Sequence, residues 1–415
     1  MKHALDPNKL GDFGLPVIDA VQKCVHCGFC LPTCPTYDVL GQEMDSPRGR
    51  ILLMKEVLEG NLTVEQAAPH VDQCLGCLSC ETNCPSGVPY GHLLSSYRSL
   101  KHDESPRTLG ARIRELLVHQ TVPFPSRFRL AAQLGKLTAP IGFLVPRFLK
   151  PLIEMIPDSI PKRDELPTKS AAKGEAKGTV GLLTGCAQQV LAPEINRATI
   201  SVLSKVGFDV VVPQNQSCCG GLDWHEGRVK STRTMAAKNF NLFGNEVDVI
   251  ITNAAGCGSA IHEYETAFGG TPQLEEAKRF SDRVVDISQF LSRHAVPAMR
   301  FSEPVRVGYH DACHLAHAQR IRTQPRQLLR GIENVELVSI RNSDLCCGSA
   351  GTYNLTQPKI ADELGRQKAQ TIVDSGCDIV TAGNIGCLVQ VRKHLQDMGS
   401  RVKVLHTIEL IDMAL

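Results

Sequence analysis

Two runs of cysteine carry the first chemistry in this chain. "CVHCGFCLPTCP" spans Cys24 to Pro35, and "CLGCLSCETNCP" spans Cys74 to Pro85. Both follow the pattern C-x2-C-x2-C-x3-C-P. Thiolates are soft ligands suited to iron and zinc. A tight loop aims three thiolates at three corners of an iron–sulfur cube. It does not easily wrap to the fourth corner, so a distant segment must supply that ligand. Zinc sites instead pair two C-x2-C knuckles, or one knuckle with histidines. A run of four thiols, doubled and each time closed by proline, fits two iron–sulfur clusters better. Pro35 and Pro85 fix φ just after the fourth thiol and carry no N–H.

This is the spacing of bacterial ferredoxins, in which the fourth cysteine of one run ligates the cluster of the other. By that rule one [4Fe–4S] cluster takes Cys24, Cys27, Cys30 and Cys84, and the second takes Cys74, Cys77, Cys80 and Cys34. The spacing alone leaves the uncrossed arrangement open. Gly28 and Gly76 adjoin ligands, where unusual φ and close backbone approach are expected. His26 is expected near the first cluster without binding it.

The runs must be held together by what lies between them, "DSPRGRILLMKEVLEG". Ser46 suits an N-cap, Pro47 the first helical position and Gly60 a C-terminal stop. Ile51, Leu52, Met54, Val57 and Leu58 mark one buried face. Arg48 and Arg50 either offset the anionic clusters or stay solvated on this helix.

Nine further cysteines follow, eight of them in a duplication. "TVGLLTGC" at Cys186, "SCCGG" at Cys218–Cys219 and "VDVIITNAAGCGSA" at Cys257 recur as "RVGYHDACH" at Cys313, "LCCGSAG" at Cys346–Cys347 and "CDIVTAGNIGCLVQ" at Cys387. The offsets are 127, 128 and 130 positions. "VVDISQFLS" and "VLHTIELID" end the two copies in the same way. Short β-branched runs ("VGLLTG", "FDVVVP", "VDVIITN") alternate with helical patterns ("EINRATISVLSKVG", "KIADELGRQKAQTIVDSG"), which implies parallel sheets. The cysteines follow strand-like runs, at the sheet edge where open α/β folds bind ligands. Two such halves facing each other would converge Cys186, Cys218, Cys219, Cys257, Cys313, Cys346, Cys347 and Cys387 on one cleft, as ligands of a further cluster or as buried thiols. Cys377 is expected to be structural. His310, Asp311, His314 and His317 crowd around Cys313, where helix capping and hydrogen bonding are expected ahead of direct catalysis.

The 415 residues, with a formal net charge of +2, present no global field for nucleic acid. Seventeen cysteines, an odd number, with no apolar leader segment at the amino terminus argue against a disulfide framework. No run approaches the ~18 apolar residues of a spanning helix. From Ser105 to Pro157 the chain is apolar and basic, with Arg127, Arg129, Lys136, Arg147 and Lys150, and is expected to pack between domains or against a partner ahead of a membrane surface. A Pro-, Lys- and Ala-rich linker follows. The expected organisation is multidomain: an α-helical, bacterial-ferredoxin-like 2×[4Fe–4S] domain over 1–104, a helical connector and linker over 105–178, and a duplicated α/β domain with parallel sheets, its cysteine-rich repeats over 179–300 and 301–415. No metalloprotease helix, Walker loop or nucleophile elbow is present.

"CVHCGFCLPTCPTYDVLGQEMDSPRGRILLMKEVLEG" and "CLGCLSCETNCPSGVPYGHLL", followed by two Cys-Cys-Gly repeats, resemble the iron–sulfur subunits of glycolate oxidase, also called glycolate dehydrogenase. The ferredoxin part is the specific portion. The repeats are shared with iron–sulfur subunits of lactate-oxidising and anaerobic glycerol-3-phosphate dehydrogenases and with heterodisulfide reductases. The resemblance implies FAD-bearing partner subunits that oxidise glycolate to glyoxylate, and an electron-transfer role here toward a quinone or membrane acceptor, with no catalytic residue of its own. It implies a cytoplasmic location, free or peripheral on the cytoplasmic face of the membrane. The alternatives are service to D-lactate or glycerol 3-phosphate oxidation, or a heterodisulfide-reductase-like catalytic cluster. Against the last, Ala260 and Gln390 stand where that family's repeats place a further cysteine.

Overall fold

The computed structural model describes residues 1–105, 107–138, 145–146, 148–154, 156–157, 159–244 and 247–415. The amino-terminal part is helical. Its principal helices are α1 (Gly14–Lys23), α2 (Pro35–Leu40), α3 (Pro47–Leu58), α4 (Val64–Val71) and α5 (Tyr90–Lys101). The two cysteine loops sit between them. Helix α3 starts as its sequence dictates: the Ser46 hydroxyl accepts from the Gly49 amide at 3.0 Å, and Gly60 ends the turn at φ +82°. Val17, Val21, Ile51, Met54, Val71, Leu93 and Leu94 form the core that fixes these helices to one another.

The connector folds as α6 (Leu109–Thr121) and α7 (Pro125–Thr138). It packs on the rest of the chain through polar groups: His119 meets Asp223 and Glu226, and Arg129 donates to the Gln189 carbonyl at 3.1 Å. Leu116, Leu130, Leu134 and Leu137 remain exposed. Arg147 and the apolar stretch 139–144 lie outside the described residues.

The remainder holds two sheets. Strands β1 (Lys169–Ser170), β2 (Thr179–Leu183), β3 (Asp209–Val211), β4 (Val249–Thr252) and β5 (Val284–Asp286) lie in the order β1-β3-β2-β4-β5. Strands β6 (Met299–Tyr309), β7 (Ile332–Val338), β8 (Ile379–Ala382) and β9 (Lys403–His406) lie in the order β7-β6-β8-β9. Without β1, both sheets place their strands second, first, third, fourth. The duplication read from the cysteines is therefore a duplication of topology. Pairing within the repeats is parallel throughout, for example Val180↔Val249 and Val307↔Ile379. The inner strands β2, β4 and β8 are covered on both faces and read as short apolar runs, whereas β7 and the first part of β6 are partly exposed and carry charges.

One segment departs from the sequence reading. Lys169–Ser170, within the expected linker, pairs antiparallel with β3 (Lys169↔Val211). Two residues are too few to show a period-2 pattern. What holds them is tertiary: the Val212 amide donates to the Thr168 carbonyl, and the Ala172 amide to the Asp209 carboxylate, both at 2.8 Å.

Helix α8 (Glu194–Val206) ends at Gly207 in the left-handed region, and packs on α13 (Thr407–Ala414), to which Ser201 and Lys205 reach at Asp412. A single apolar cluster runs from Val180 and Leu203 of the first repeat to Val307 and Leu410 of the second. This fixes the two carboxyl-end edges against each other. Helices α9 (Gly221–His225), α10 (Ala255–His262) and α12 (Ile385–Asp397) line the cleft the repeats share, and α11 (Pro358–Asp374) packs on α12.

Candidate iron–sulfur sites

Two small cavities lie in the helical part. The first is lined by Cys24, Cys27, Cys30, Cys84 and Cys80, with Pro85, Arg48 and His26. The second is lined by Cys34, Cys74, Cys77 and Cys80, with Arg50 and Tyr90. Each thus gathers three cysteines from one run and the fourth from the other, with Cys80 touching both. Gly28 (φ +88°) and Gly76 (φ +64°) let the loops turn back over their own thiols. A Cβ at Gly28 would meet the Arg48 guanidinium at 2.9 Å.

The two arginines of α3 behave differently. Arg48 is half-buried and bridges the Glu43 carboxylate (2.6 Å) and the His26 carbonyl (3.0 Å). Arg50 is 0% exposed. Its Nε donates to the His70 carbonyl and its Nη1 to Thr36 Oγ1, both at 2.8 Å, with Cys34 Sγ 3.8 Å from Nη1. Asp45 Oδ1 lies 3.8 Å from Nη2 and 2.8 Å from His70 Nδ1. Burial alone would lower the Arg50 pKa; the Cys74, Tyr90, Cys34 and Asp45 groups around it outweigh burial and raise it. Burial likewise pushes the Cys74 thiol up, but Arg50 and Arg98 bring it below its ordinary value, and Tyr90 and the Gly76 amide hydrogen-bond its sulfur. Among the described residues Arg50 Nη2 has no hydrogen-bond partner although it is buried. An uncompensated buried guanidinium N–H beside four thiols fits an anionic iron–sulfur group.

All eight cysteines of the duplication line one further cavity of about 530 Å³, together with Cys74. Within each repeat the sulfurs form a string. Cys186 Sγ lies 3.4 Å from Cys218 Sγ, and Cys313 Sγ 4.0 Å from Cys346 Sγ. In both, the second cysteine of the adjacent pair is the one whose thiol is pushed down. Cys219 accepts from Cys218 and Cys257, and Cys347 from Cys346 and Cys387, so both fall well below the ordinary thiol value while their donors rise. The Gly220 and Gly221 amides add hydrogen bonds of 3.4 Å to the sulfurs of Cys218 and Cys219. Cys377 sits apart, buried in the core against the Ile372 carbonyl.

The polar residues near Cys313 mostly build the frame. His317 donates to the Asp344 carbonyl and accepts from Thr82. His314 donates from Nε2 to the Gly76 carbonyl (3.1 Å) and accepts from Ser259. Asp311 caps no helix; it takes both nitrogens of Arg326, each at 2.6 Å. Sequence reasoning missed Arg98, whose Nη1 and Nη2 donate to the carbonyls of His225 (2.8 Å) and Cys74 (2.9 Å). It also missed Tyr353, which donates to the Gln73 carbonyl at 2.8 Å. Arg98 lies inside α5 and Tyr353 opens a four-residue helical turn, and no local pattern marks either.

Residues 20–88 match the 4Fe-4S dicluster domain family, and residues 180–262 and 307–392 match the cysteine-rich domain family CCG. The glycolate oxidase iron-sulfur subunit of Escherichia coli (strain K12) is 34% identical over 400 residues, covering 95% of this chain and 94% of that protein. The chain belongs to the glycolate oxidase iron–sulfur subunit family. A probable glycolate oxidase iron-sulfur subunit of Bacillus subtilis (strain 168) is 33% identical over 94% of this chain and 93% of its own length. A fumarate reductase (CoM/CoB) polypeptide from Methanothermobacter marburgensis is 27% identical over 95% of this chain and 72% of its own length. Members of the glycolate oxidase iron–sulfur subunit family are parts of oxidoreductase complexes. This chain is accordingly an iron–sulfur, electron-transferring subunit that works with other subunits. Among the described residues no helix is long and apolar enough to cross a membrane. Ala260 and Gln390, three positions after Cys257 and Cys387, are buried in packing, Gln390 donating to the Ala361 carbonyl at 3.1 Å.

Proposed function

We propose that this subunit drains a reduced flavin on its partner, one electron at a time, through two [4Fe–4S] clusters. Cys24, Cys27, Cys30 and Cys84 hold the first cluster, and Cys74, Cys77, Cys80 and Cys34 the second. The observation that carries this reading is the pair of cavities, each lined by three thiols of one run and reached by the other, through Cys84 and Cys80 in the first and Cys34 in the second. Bound there, a [4Fe–4S] centre accepts and releases single electrons at a potential set by burial, charge and hydrogen bonds to sulfur. Arg50, Tyr90 and the Gly76 amide supply charge and hydrogen bonds to the second set. The first set is more open, with Cys27 exposed, and suits electron entry from a partner.

The relatives favour glycolate as the donor, oxidised to glyoxylate on an FAD-bearing subunit, with a quinone at the membrane as acceptor. The protein is read as cytoplasmic or peripheral on that face. Boundaries at 104, 178 and 300 divide the ferredoxin-like domain, the connector and the two repeats. The test is anaerobic isolation with the partner subunits, analysis for about eight irons and eight sulfides, and assay with glycolate, D-lactate and glycerol 3-phosphate. Turnover with glycolate alone supports the reading; turnover with one of the others and not glycolate refutes the substrate.

A second reading is favoured by one observation: eight more cysteines and Cys74 line a single cavity. On that reading the repeats hold a metal centre of their own and pass electrons to an acceptor in the cavity. Replacing Cys219 and Cys347 with serine should then abolish acceptor reduction while the first two clusters remain. Unchanged acceptor reduction refutes it.

A further inference from the structure

The two repeats differ in a donor side chain beside their cysteines. His310 is 0% exposed. Its Nδ1–H donates to the Ser343 carbonyl at 2.9 Å, which leaves the Nε2 lone pair free. Among the described residues Nε2 makes no hydrogen bond of regular geometry, and the Cys347 sulfur is the group it faces. It points into the group of Cys347 and Cys387: the three ligand atoms lie within 4.8 Å of one another, and all three residues are buried. A tetrahedral ion with metal–nitrogen bonds near 2.0 Å and metal–sulfur bonds near 2.3 Å spaces its ligands roughly 3.5–3.8 Å apart. A contraction of about an ångström would close the three on one metal atom.

The ring is also braced as a ligand would be. Metal-binding histidines commonly donate their second N–H to a carbonyl or carboxylate, which fixes the tautomer. Here the acceptor, Ser343, is itself held: its hydroxyl donates to Asp311 at 2.8 Å, its carbonyl also accepts the Asp311 amide at 3.1 Å, and Arg326 clamps the same carboxylate. The His310 amide is tied to the Thr381 carbonyl of β8 at 2.9 Å. In the first repeat the position 127 residues earlier is Leu183, buried and without a donor atom.

We propose that the second repeat holds a metal centre in which His310 Nε2 is a ligand beside the Cys347 and Cys387 sulfurs, while the first repeat offers sulfur alone. This rests on the second reading above, that the repeats bind metal. The ligand chemistry is a thiophilic ion that accepts imidazole: iron of a cluster, or zinc. Both repeats offer the same four thiols, and His310 adds a neutral ligand to the second set where the first has Leu183, so the two sites differ in donor count and not in thiolate charge.

The test uses the full chain, isolated anaerobically with its clusters, and X-ray absorption at the iron and zinc edges with pulsed EPR of the reduced protein. The wild type should give a nitrogen ligand at one edge. His310→Leu, which copies the first repeat, should lose it while keeping the helical part's cluster signals as a control for folding. A nitrogen signal at the iron edge with ¹⁴N coupling identifies cluster iron; one at the zinc edge identifies a single ion. If the wild type's repeat metal has a sulfur-only shell, or its nitrogen signal survives His310→Leu, the proposal is overturned and metal binding by the repeats stands. If Cys347→Ser leaves both metal contents unchanged, metal binding by the repeats falls, and the proposal with it.

Discussion

Arg50→Met removes a buried positive charge from the edge of the second four-cysteine set while keeping much of the side chain's volume. The guanidinium is 3.8 Å from Cys34 Sγ. At an effective dielectric of about 20, a unit charge at that distance is worth about 4 kcal/mol. An added electron spreads over a cluster lying beyond the sulfur, so about half of this, ~2 kcal/mol, is the expected loss. For a one-electron couple that is on the order of 90 mV. The direction is fixed: without the cation, reduction is harder and the midpoint moves negative. Arg50→Lys, which keeps the charge, should recover most of the shift. The assay is redox titration of the intact protein followed by EPR, with iron content showing that both clusters are retained. A midpoint that stays within about 20 mV of wild type in Arg50→Met, clusters intact, would refute the argument that this arginine sets the potential of that cluster.

Three other outcomes follow from the geometry. Cys84→Ser should perturb the cluster held by Cys24, Cys27 and Cys30 and spare the one whose midpoint Arg50→Met shifts; the uncrossed arrangement gives the reverse in the same EPR titration. His119 is buried, which alone would lower its pKa, but the Asp223 and Glu226 carboxylates, each at 2.6 Å, lift it from 6.5 to about 9. A raised folded-state value stabilises below pH 6.5 and fades as pH rises through 9, so the protection of α6 amides, taken relative to the intrinsic base-catalysed exchange rate, should fall between pH 8 and 10, and His119→Gln should remove that fall. Gly227 has φ +81°, and a Cβ there would strike the Arg98 carbonyl. Gly227→Ala should therefore cost roughly 1–3 kcal/mol in denaturant titration, with little loss expected for Gly244→Ala, where nothing stands within 4 Å.

What the sequence made legible were features whose information is local. The cysteine spacing marks the two loops, the 127–130 offsets mark the duplication, and Ser46-Pro47 marks the start of α3. Arg50 was legible only as half of a pair. "SPRGR" offers Arg48 and Arg50 alike, to offset the clusters or to stay solvated, and only convergence of Thr36, Asp45 and His70 from other elements singles out Arg50 and makes its burial tolerable. His119 was hidden likewise: it lies in a basic amphipathic helix, and its two carboxylates come more than 100 positions later. Among the four polar residues around Cys313, the string "HDACHLAH" gave no means of separating one ring from another. The distinction rests on which ring nitrogen a distant backbone carbonyl has already engaged.

The junction between the two halves argues for electron transfer across it. Loop Gln73–Gly76 contains Cys74, which lines both the second small cavity and the large one. Three groups pin the loop's carbonyls: Tyr353 at Gln73, Arg98 at Cys74 and His314 at Gly76. Two of the three come from the second repeat, and the third also holds the His225 carbonyl of the first. A loop serving only its own cluster has no need of anchors more than 230 residues away. Such anchoring fixes the separation between the second four-thiol set and the cavity thiols, the quantity on which a transfer rate depends. The carbonyls are used for this, which leaves the Gly76 amide to the Cys74 sulfur. Positioning and tuning thus fall to different atoms of one loop. Tyr353→Phe, which removes one anchor without charge, should therefore slow electron arrival in the repeats while leaving the midpoint of the second cluster within about 20 mV. Stopped-flow reduction of the assembled complex reads the first effect and redox titration the second. A shifted midpoint with an unchanged rate would reverse the assignment.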